Sequence, residues 1–188
     1  MTDRERLRQI LVERSVRLGD FTLASGARSS YYVDARRTTM SAEGQYLTGR
    51  VCLDVLRDSP LKPTHVGGLT MGADPVSYAM ARESFVQGEP MDGFSVRKEP
   101  KGHGTGQRVE GGLPEGARCL VVEDSMTTGG SALKAIEALE EFGATIVGVL
   151  TLVDREEGGR EKLETAGYPL LSVFTGRELL AQAQGRDR

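Results

Sequence analysis

The sequence predicts an α/β fold with a mostly parallel sheet flanked by helices, and three observations support this prediction. Short apolar runs alternate along the chain with amphipathic stretches of helical period, as expected of parallel strands joined by helices. One such run, residues 120–122, leads through two acids and a Thr/Gly/Ser loop into an amphipathic stretch, the order of a strand, a turn and a helix. A hydrophobic content of 38% in 188 residues allows one domain to bury a core.

The N-terminal part of the chain is predicted to begin with a helix and a hairpin. Residues 3–18 carry spaced apolar side chains among many charges, which predicts an amphipathic helix. Residues 21–23 and 31–33 are rich in aromatic and β-branched side chains and lie on either side of a predicted turn at Ser25 and Gly26. The two runs are therefore predicted to pair as a hairpin.

The rest of the chain is predicted to alternate between strands and helices. The predicted strands are the apolar runs at residues 65–69, 94–96, 118–124, 146–153 and 170–174. The predicted helices are residues 41–58 capped by Ser41, a helix with Asp74 as N-cap and Pro75 as first residue, residues 131–142, and a last helix opened by the capping box Thr175-Gly176-Arg177-Glu178. Ligands of such a sheet bind at the carboxyl ends of its strands.

Composition disfavours several classes of function. The net charge is −3, so non-specific binding of nucleic acid through phosphate contacts is not expected. No apolar run approaches the roughly 20 residues that span a bilayer, and residues 1–6 are too charged to open a signal peptide. Cys52 and Cys119 lie in apolar contexts and are predicted to be buried free thiols in a reducing cytoplasm. His65 and His103 have no partner at metal-ligand spacing, so a structural zinc site is not expected.

Residues 120–131 are the part of the sequence that is most informative about function. Glu123 and Asp124 are predicted to lie at the carboxyl end of a buried strand. The loop that follows supplies hydroxyl groups and backbone N–H groups at the N-terminus of a helix, where the helix dipole favours an anion. Acids that bind hydroxyl groups beside a phosphate site suit a ribose 5-phosphate, so the chain is predicted to act on a phosphorylated sugar.

Two other phosphate-binding motifs do not match this stretch. A Walker A loop needs a Lys-Ser/Thr pair after its last glycine, whereas Gly130 is followed by Ser131 and Ala132. A dinucleotide-binding fingerprint needs G-x-G-x-x-G directly after the strand, where this chain has Glu123 and Asp124. The alternative is that this stretch has no functional role. It would then be a strand, a polar turn and a helix capped by a serine, and the two acids would be exposed to solvent.

A second group of charged residues precedes this motif by about twenty residues. Residues 97–117 show no convincing periodicity, and an irregular stretch of that length is usually a functional lid or disordered. Three cations and a histidine lie within seven residues: Arg97, Lys98, Lys101 and His103. A solvated surface loop is the alternative, but a closing loop with positive charge suits a polyanionic leaving group.

The motifs resemble those of a known family. Residues 120–131 are similar to the diphosphate-sugar binding signature of the phosphoribosyltransferases, and residues 96–104, Val-Arg-Lys-Glu-Pro-Lys-Gly-His-Gly, are similar to the catalytic loop of the orotate phosphoribosyltransferases. Further resemblance to the orotate enzymes occurs at residues 21–26, 30–34, 67–75 and 153–155. These blocks occur in the order expected for that family.

The resemblance implies a type I phosphoribosyltransferase fold in a single domain of residues 1–188, with residues 1–40 forming part of a hood on the base side and with a flexible catalytic loop. It implies transfer of the 5-phosphoribosyl group from phosphoribosyl diphosphate to N1 of orotate, giving orotidine 5′-phosphate and diphosphate in de novo pyrimidine synthesis. It also implies Mg²⁺ that arrives bound to substrate oxygens. A homodimer is implied, in which the lid of one subunit reaches the active site of its neighbour.

The resemblance also implies roles for individual residues. Glu123 and Asp124 are expected to bind the ribose hydroxyls, and Thr127 and Arg155 to bind orotate, with Arg155 on its carboxylate. The 5′-phosphate is expected to bind Ser125, Met126, Thr127, Thr128, Gly129, Gly130 and Ser131. The diphosphate is expected to bind Arg97, Lys98, Lys101 and His103, and the catalytic candidates are Lys101, His103 and Asp124.

Some positions depart from the family pattern, and two other functions stay open. Ala24 replaces a lysine of some members, Met71-Gly72 replaces a Tyr-Lys pair, and Tyr32 and Val33 either line the base pocket or fill the core. One alternative is a phosphoribosyltransferase for another base, such as a purine, although a purine has no carboxylate for an arginine. The other is a non-catalytic regulator that binds nucleotides or RNA, which predicts a basic surface and a degraded lid.

Overall fold

The structure is a computed structural model that describes residues 1–22, 28–99 and 107–186. These residues form helices α1 (Asp3–Arg14), α2 (Arg36–Thr39), α3 (Ala42–Arg57), α4 (Ala73–Val86), α5 (Gly130–Phe142), α6 (Gly159–Thr165) and α7 (Gly176–Arg186). They also form strands β1 (Val16–Thr22), β2 (Arg28–Val33), β3 (His65–Leu69), β4 (Asp92–Val96), β5 (Val109–Glu110), β6 (Arg118–Met126), β7 (Thr145–Asp154) and β8 (Leu170–Thr175).

Six of these strands form the main sheet, in the order β5-β4-β3-β6-β7-β8. The pairs β3–β4, β3–β6, β6–β7 and β7–β8 are parallel, and β5 pairs antiparallel with β4 at one edge. The predicted α/β fold with a mostly parallel sheet is therefore confirmed. Because β3, β6 and β7 run in the same direction, the residues that follow them meet at one edge of the sheet.

Hydrophobic cores cover both faces of the sheet. Leu120 and Val122 of β6 lie in a core shared with α1, α3, α4 and α7, while Cys119 and Val121 lie in a core shared with α5. Successive residues of a strand point to opposite faces, so a strand buried on both sides reads as an unbroken apolar run. The parallel pairing of β6 with β3 and β7 sets its direction and places the acids near its carboxyl end at the open edge.

The predicted first helix is wrong at its C-terminal end. α1 ends at Arg14, and β1 begins at Val16 and pairs antiparallel with β2. Val16 lies opposite Val33 in this ladder, so pairing with the next strand determines the structure of a segment whose local pattern suggested helix. The predicted hairpin is confirmed by the β1–β2 pairing, while its turn at Ser25 and Gly26 lies outside the described residues.

The capping predictions had different outcomes. The box at the start of α7 is confirmed, because the Glu178 N–H donates to Thr175 Oγ1 at 3.1 Å and the Thr175 N–H donates to Glu178 Oε2 at 3.4 Å. Ser41 caps α3 through the Gly44 N–H, as predicted. The prediction of Asp74 as N-cap is wrong: α4 begins at Ala73 after Gly72, and the Asp74 carboxylate accepts a hydrogen bond from Ser95 instead.

The segment predicted to lack regular structure contains a short strand. β5 pairs with β4 through Ser95 and Glu110, and the Arg97 N–H donates to the Arg108 carbonyl at 2.8 Å. Both ends of the charged loop are therefore attached to the same edge of the sheet. Helices α2 and α6 are short and were not predicted from the sequence.

Both cysteines are buried free thiols, as predicted, and burial raises the pKa of each to about 12. No helix in the described part of the chain combines the length and apolar character needed to cross a bilayer.

Candidate active site

A cavity of about 570 Å³ opens at the edge where β3, β6 and β7 end. The hairpin contributes Thr22 and Tyr32 to its lining, the stretch from the end of β3 to the start of α4 contributes residues 69–73, and Arg155 enters the lining directly after β7. Glu123 and Asp124, near the carboxyl end of β6, lie in the same lining. The position is the one expected for the ligand site of a parallel sheet.

Glu123 and Asp124 form an acidic pair in this lining. Oε2 of Glu123 is buried and has no hydrogen-bond partner among the residues that the structure describes. Oδ1 of Asp124 accepts the Ser125 N–H at 3.0 Å. The backbone of Gly72 lies directly against this carboxylate, so a Cβ at residue 72 would overlap with it. Gly72 therefore makes room for Asp124.

The environment raises the proton affinity of both acids. Burial raises the pKa of Glu123 to about 8, the charge of Asp124 adds to this effect, and the Ser131 hydroxyl acts in the opposite direction. Burial also raises the pKa of Asp124, and the Ser125 N–H and the Arg36 guanidinium counteract that rise. Ligands that donate hydrogen bonds or carry positive charge favour the ionised forms of both acids. The pair is therefore suited to hydroxyl groups and to a ring that becomes cationic.

The Glu123 carboxyl is expected to make the ligand-free protein less stable as the pH rises from about 4.5 to about 8. Over that interval the folded protein holds a proton that the unfolded chain has lost, so the free energy of unfolding falls with pH, by on the order of a few kcal/mol. Glu123→Gln should flatten this slope and should be more stable than the wild type near pH 8.

Urea denaturation at a series of pH values measures this effect. Glu137→Gln is the matched control, because Glu137 is exposed on α5. An unchanged slope in Glu123→Gln would show that this carboxyl does not hold the proton.

The loop between β6 and α5 leaves a helix N-terminus open to the cavity. Gly129 is the N-cap of α5, with a left-handed φ of 70° and no side-chain capping hydrogen bond. The first N–H groups of a helix have no partner within the helix, and the dipole adds positive potential there. Thr127 and Ser131 line the cavity beside these groups. The arrangement is suited to a phosphate group.

The shape of this loop depends on a close backbone contact with the start of α6. The Gly159 N–H donates to the Thr127 carbonyl at 3.1 Å, and a Cβ at residue 159 would lie 2.7 Å from the same oxygen. The side chain of Met126 is fully buried in the core. Only the backbone of Met126 is therefore available for the predicted contact with the phosphate. Thr128 is exposed at the tip of the loop.

Arg155, at the end of β7, is buried but lines the cavity. Its backbone N–H donates to the Met126 carbonyl at 2.8 Å, which links it to the end of β6. Its guanidinium lies over the ring of Tyr31 and is paired with Glu157 at 3.2 Å. The structure therefore brings the predicted orotate-binding arginine to the same cavity as Thr127 and the acidic pair.

The described part of the charged loop also reaches this region. Lys98 lines the cavity, and Arg97 forms an ion pair with Glu110 at 3.5 Å. Lys101 and His103 lie outside the described residues. The cavity thus has acids on β6, an anion site on α5 and a cation from the loop after β4.

Comparison with known proteins identifies the family. The family model for the phosphoribosyl transferase domain matches residues 49–167. An orotate phosphoribosyltransferase of Aquifex aeolicus is 46% identical over 183 residues, which cover 96% of this chain and 99% of the relative. This chain belongs to the orotate phosphoribosyltransferase family.

Solved structures of the family agree with this assignment. Orotate phosphoribosyltransferase of Mycobacterium tuberculosis in complex with Fe(III) dicitrate has a TM-score of 0.82 and 42% identity, covering 95% of this chain and 99% of that one. The same enzyme in complex with 5-phospho-alpha-D-ribosyl 1-diphosphate has a TM-score of 0.79 and 39% identity, with the same coverage. An adenine phosphoribosyltransferase of Leishmania donovani, at 18% identity and a TM-score of 0.67, shares the fold.

Several residues at the site of this family member were not predicted from the sequence. Arg36 lines the cavity and is paired with Asp34 at 3.0 Å, and both follow directly after β2. Tyr32 and Val33, whose position the sequence left open, both belong to the lining, and Val33 is also buried in the core. Tyr31 contacts Arg155 from outside the lining. Successive side chains of a strand point to opposite faces. This alternation along β2 is the sequence signal that could have placed Tyr31 and Tyr32 on different sides of the strand.

Proposed function

We propose that this chain transfers the 5-phosphoribosyl group from phosphoribosyl diphosphate to N1 of orotate, giving orotidine 5′-phosphate and diphosphate in de novo pyrimidine synthesis. The observation that carries the proposal is the arrangement of one cavity. The acidic pair Glu123 and Asp124, residues at the open N-terminus of α5 and the buried Arg155 all line this cavity. These three features match the hydroxyls and phosphate of the sugar and the carboxylate of the base.

In the proposed reaction the bond between C1 and the diphosphate oxygen breaks, and a bond from N1 of orotate to C1 forms. Positive charge develops on the ribose ring, and ionised Glu123 and Asp124 stabilise it while they accept hydrogen bonds from the ring hydroxyls. Residues 125–131 hold the 5′-phosphate. Thr127 and Arg155 hold orotate, whose N1 loses its proton as the bond to C1 forms. Protonation of the departing diphosphate balances this loss, and no covalent intermediate with the protein is needed.

The diphosphate leaves toward the charged loop. Arg97 and Lys98 belong to the proposed diphosphate site, together with Lys101 and His103, which lie outside the described residues. We assign Lys101 and His103 to stabilise or protonate the departing diphosphate, and we keep Asp124 as the third catalytic candidate. Positive charge placed before the reaction stabilises the leaving group most strongly in a site that excludes water.

Mg²⁺ is the proposed cofactor. Among the described residues, no three His, Cys, Asp or Glu side chains form a group that could hold a metal ion. The acidic pair suits a cation that arrives on the ribose and diphosphate oxygens, and Glu123 and Asp124 would be candidates to contact it. When bound, the ion would neutralise part of the diphosphate charge.

We further propose that residues 1–188 act as one domain, with residues 1–40 as part of the hood on the base side. Tyr32 in the cavity lining supports this role of the hairpin. The working form is proposed to be a homodimer in which the charged loop of one subunit serves the site of the other. The buried free thiols of Cys52 and Cys119 suit the reducing cytoplasm as its compartment.

The proposal is tested by mixing the purified protein with phosphoribosyl diphosphate, Mg²⁺ and a panel of bases: orotate, uracil, adenine, guanine and hypoxanthine. We expect consumption of orotate with release of diphosphate, because orotate carries the carboxylate that Arg155 pairs with. Consumption of a purine would favour the other-base alternative. No turnover, together with tight binding of a nucleotide or RNA, would favour the regulator.

A further inference from the structure

Tyr31 holds the guanidinium of Arg155 from the side away from the cavity. The Nε–H of Arg155 donates to Tyr31 Oη at 3.1 Å, and the guanidinium carbon lies 4.2 Å from the centre of the Tyr31 ring. The hydrogen bond sets the rotation of the guanidinium plane, and the cation–π contact sets its height above the ring. Tyr31 itself is absent from the cavity lining, so it contacts Arg155 without facing the ligand space.

Tyr31 is itself held in place by a third part of the chain. Its hydroxyl lies directly over the backbone of Gly176, and a Cβ at residue 176 would overlap with that oxygen. Its ring packs against the hydrophobic core under the sheet. Strand β2, the end of β7 and the start of α7 therefore meet at this hydroxyl, which leaves Tyr31 little freedom to move.

The other contacts of the guanidinium leave one nitrogen for a ligand. Nη2 donates to Ser29 Oγ at 3.2 Å and to the Tyr31 carbonyl at 3.4 Å, and it pairs with Glu157 at 3.2 Å. None of the hydrogen bonds or ion pairs formed within residues 1–22, 28–99 and 107–186 uses Nη1. The side chain of Arg155 is 2% exposed, so its orientation is determined by these contacts.

We propose that Tyr31 is a positioning residue that sets the affinity for the carboxylated base by fixing the guanidinium of Arg155 before the base binds. An unrestrained arginine loses rotamer freedom when it binds a carboxylate, and a guanidinium that is already fixed avoids that cost. The N-terminal hairpin thus acts on base binding through Arg155. This inference rests on the proposed function, in which Arg155 binds the carboxylate of orotate.

The test compares Tyr31→Phe with the wild type. The substitution keeps the ring and removes the hydroxyl that accepts from Nε. We expect the KM for orotate to rise about ten-fold, as for loss of a hydrogen bond to a charged group, and the KM for phosphoribosyl diphosphate to change less than about two-fold. Tyr46→Phe is the matched control, because Tyr46 is an exposed tyrosine that also has an arginine, Arg50, over its ring.

A double-mutant cycle separates positioning from a general structural effect. In the Arg155→Ala background, Tyr31→Phe should add nothing to the KM for orotate, because the group that it positions is absent. Ser29→Ala removes a second contact to Arg155 from the hairpin, and it should raise the same KM by about two- to three-fold. Ser29→Ala provides the test if Tyr31→Phe does not fold.

The outcomes distinguish this inference from the proposed function. Wild-type protein that consumes no orotate would defeat the proposed function. Active wild type with an unchanged KM for orotate in Tyr31→Phe, equal rises for both substrates, or a full effect of Tyr31→Phe in the Arg155→Ala background would overturn the inference alone.

Discussion

Lys101→Ala is expected to lower the turnover number by about two to three orders of magnitude, the usual effect of removing one preorganised group that stabilises a developing charge. The diphosphate gains charge as it departs, so a cation held against it stabilises the transition state more than the bound substrate. Lys101 lies outside the described residues. In the proposed homodimer it acts at the site of the neighbouring subunit, while Lys98 of the same loop lines the cavity of its own subunit. The hydrogen bond from Arg97 to Arg108 attaches both ends of the loop at the edge of the sheet beside the cavity.

Steady-state kinetics with saturating orotate and phosphoribosyl diphosphate measure this effect. Lys162→Ala is the matched control, because Lys162 is exposed on α6. If the charge farther along the loop contacts the leaving group, Lys98→Ala should lower the turnover number less than Lys101→Ala does. Urea denaturation should give similar free energies of unfolding for all of these variants. Full turnover by Lys101→Ala would remove Lys101 from the catalytic machinery.

The central part of the site could be predicted because its pattern is local. The buried strand, the two acids, the loop and the start of α5 are consecutive in residues 118–131, and each has its own sequence signal. Burial on both faces of the sheet produces the apolar run of β6. The acids interrupt that run, and the glycines of the loop permit the left-handed turn that Gly129 adopts. The position of this unit at the edge of the sheet follows from the parallel topology.

The parts that could not be predicted depend on contacts between segments that are distant in sequence. β1 begins at Val16 because it pairs with β2, and no helical or strand pattern within residues 14–20 shows this. The contact of Gly72 with Asp124 joins the loop after β3 to the end of β6, so the sequence alone showed Gly72 only as a departure from the Tyr-Lys pair of the resemblance. The meeting of Tyr31, Arg155 and Gly176 joins three segments, and no spacing in the sequence indicates it.

Arg155→Ala is expected to raise the KM for orotate by about ten- to one hundred-fold, as for loss of a charge-assisted hydrogen bond in a buried site, and to change the KM for phosphoribosyl diphosphate by less than about three-fold. The difference arises because Arg155 lies at the end of β7, whereas the sugar and phosphate groups are assigned to residues at the end of β6 and the start of α5. Arg155→Lys should lie between the wild type and Arg155→Ala, since lysine keeps the charge but lacks the planar donors.

Arg177→Ala is the matched control for this prediction, because Arg177 is an exposed arginine of α7 whose partner, Glu156, is the residue after Arg155. Loss of Arg155 also removes the partner of Tyr31 and Glu157, so thermal unfolding should establish that the variant is folded at the assay temperature. If the variant is folded, binds orotate weakly and binds phosphoribosyl diphosphate normally, Arg155 is assigned to the base. Equal rises in the two KM values would instead mean that the arginine supports the cavity as a whole, and the carboxylate of orotate would then need a different partner.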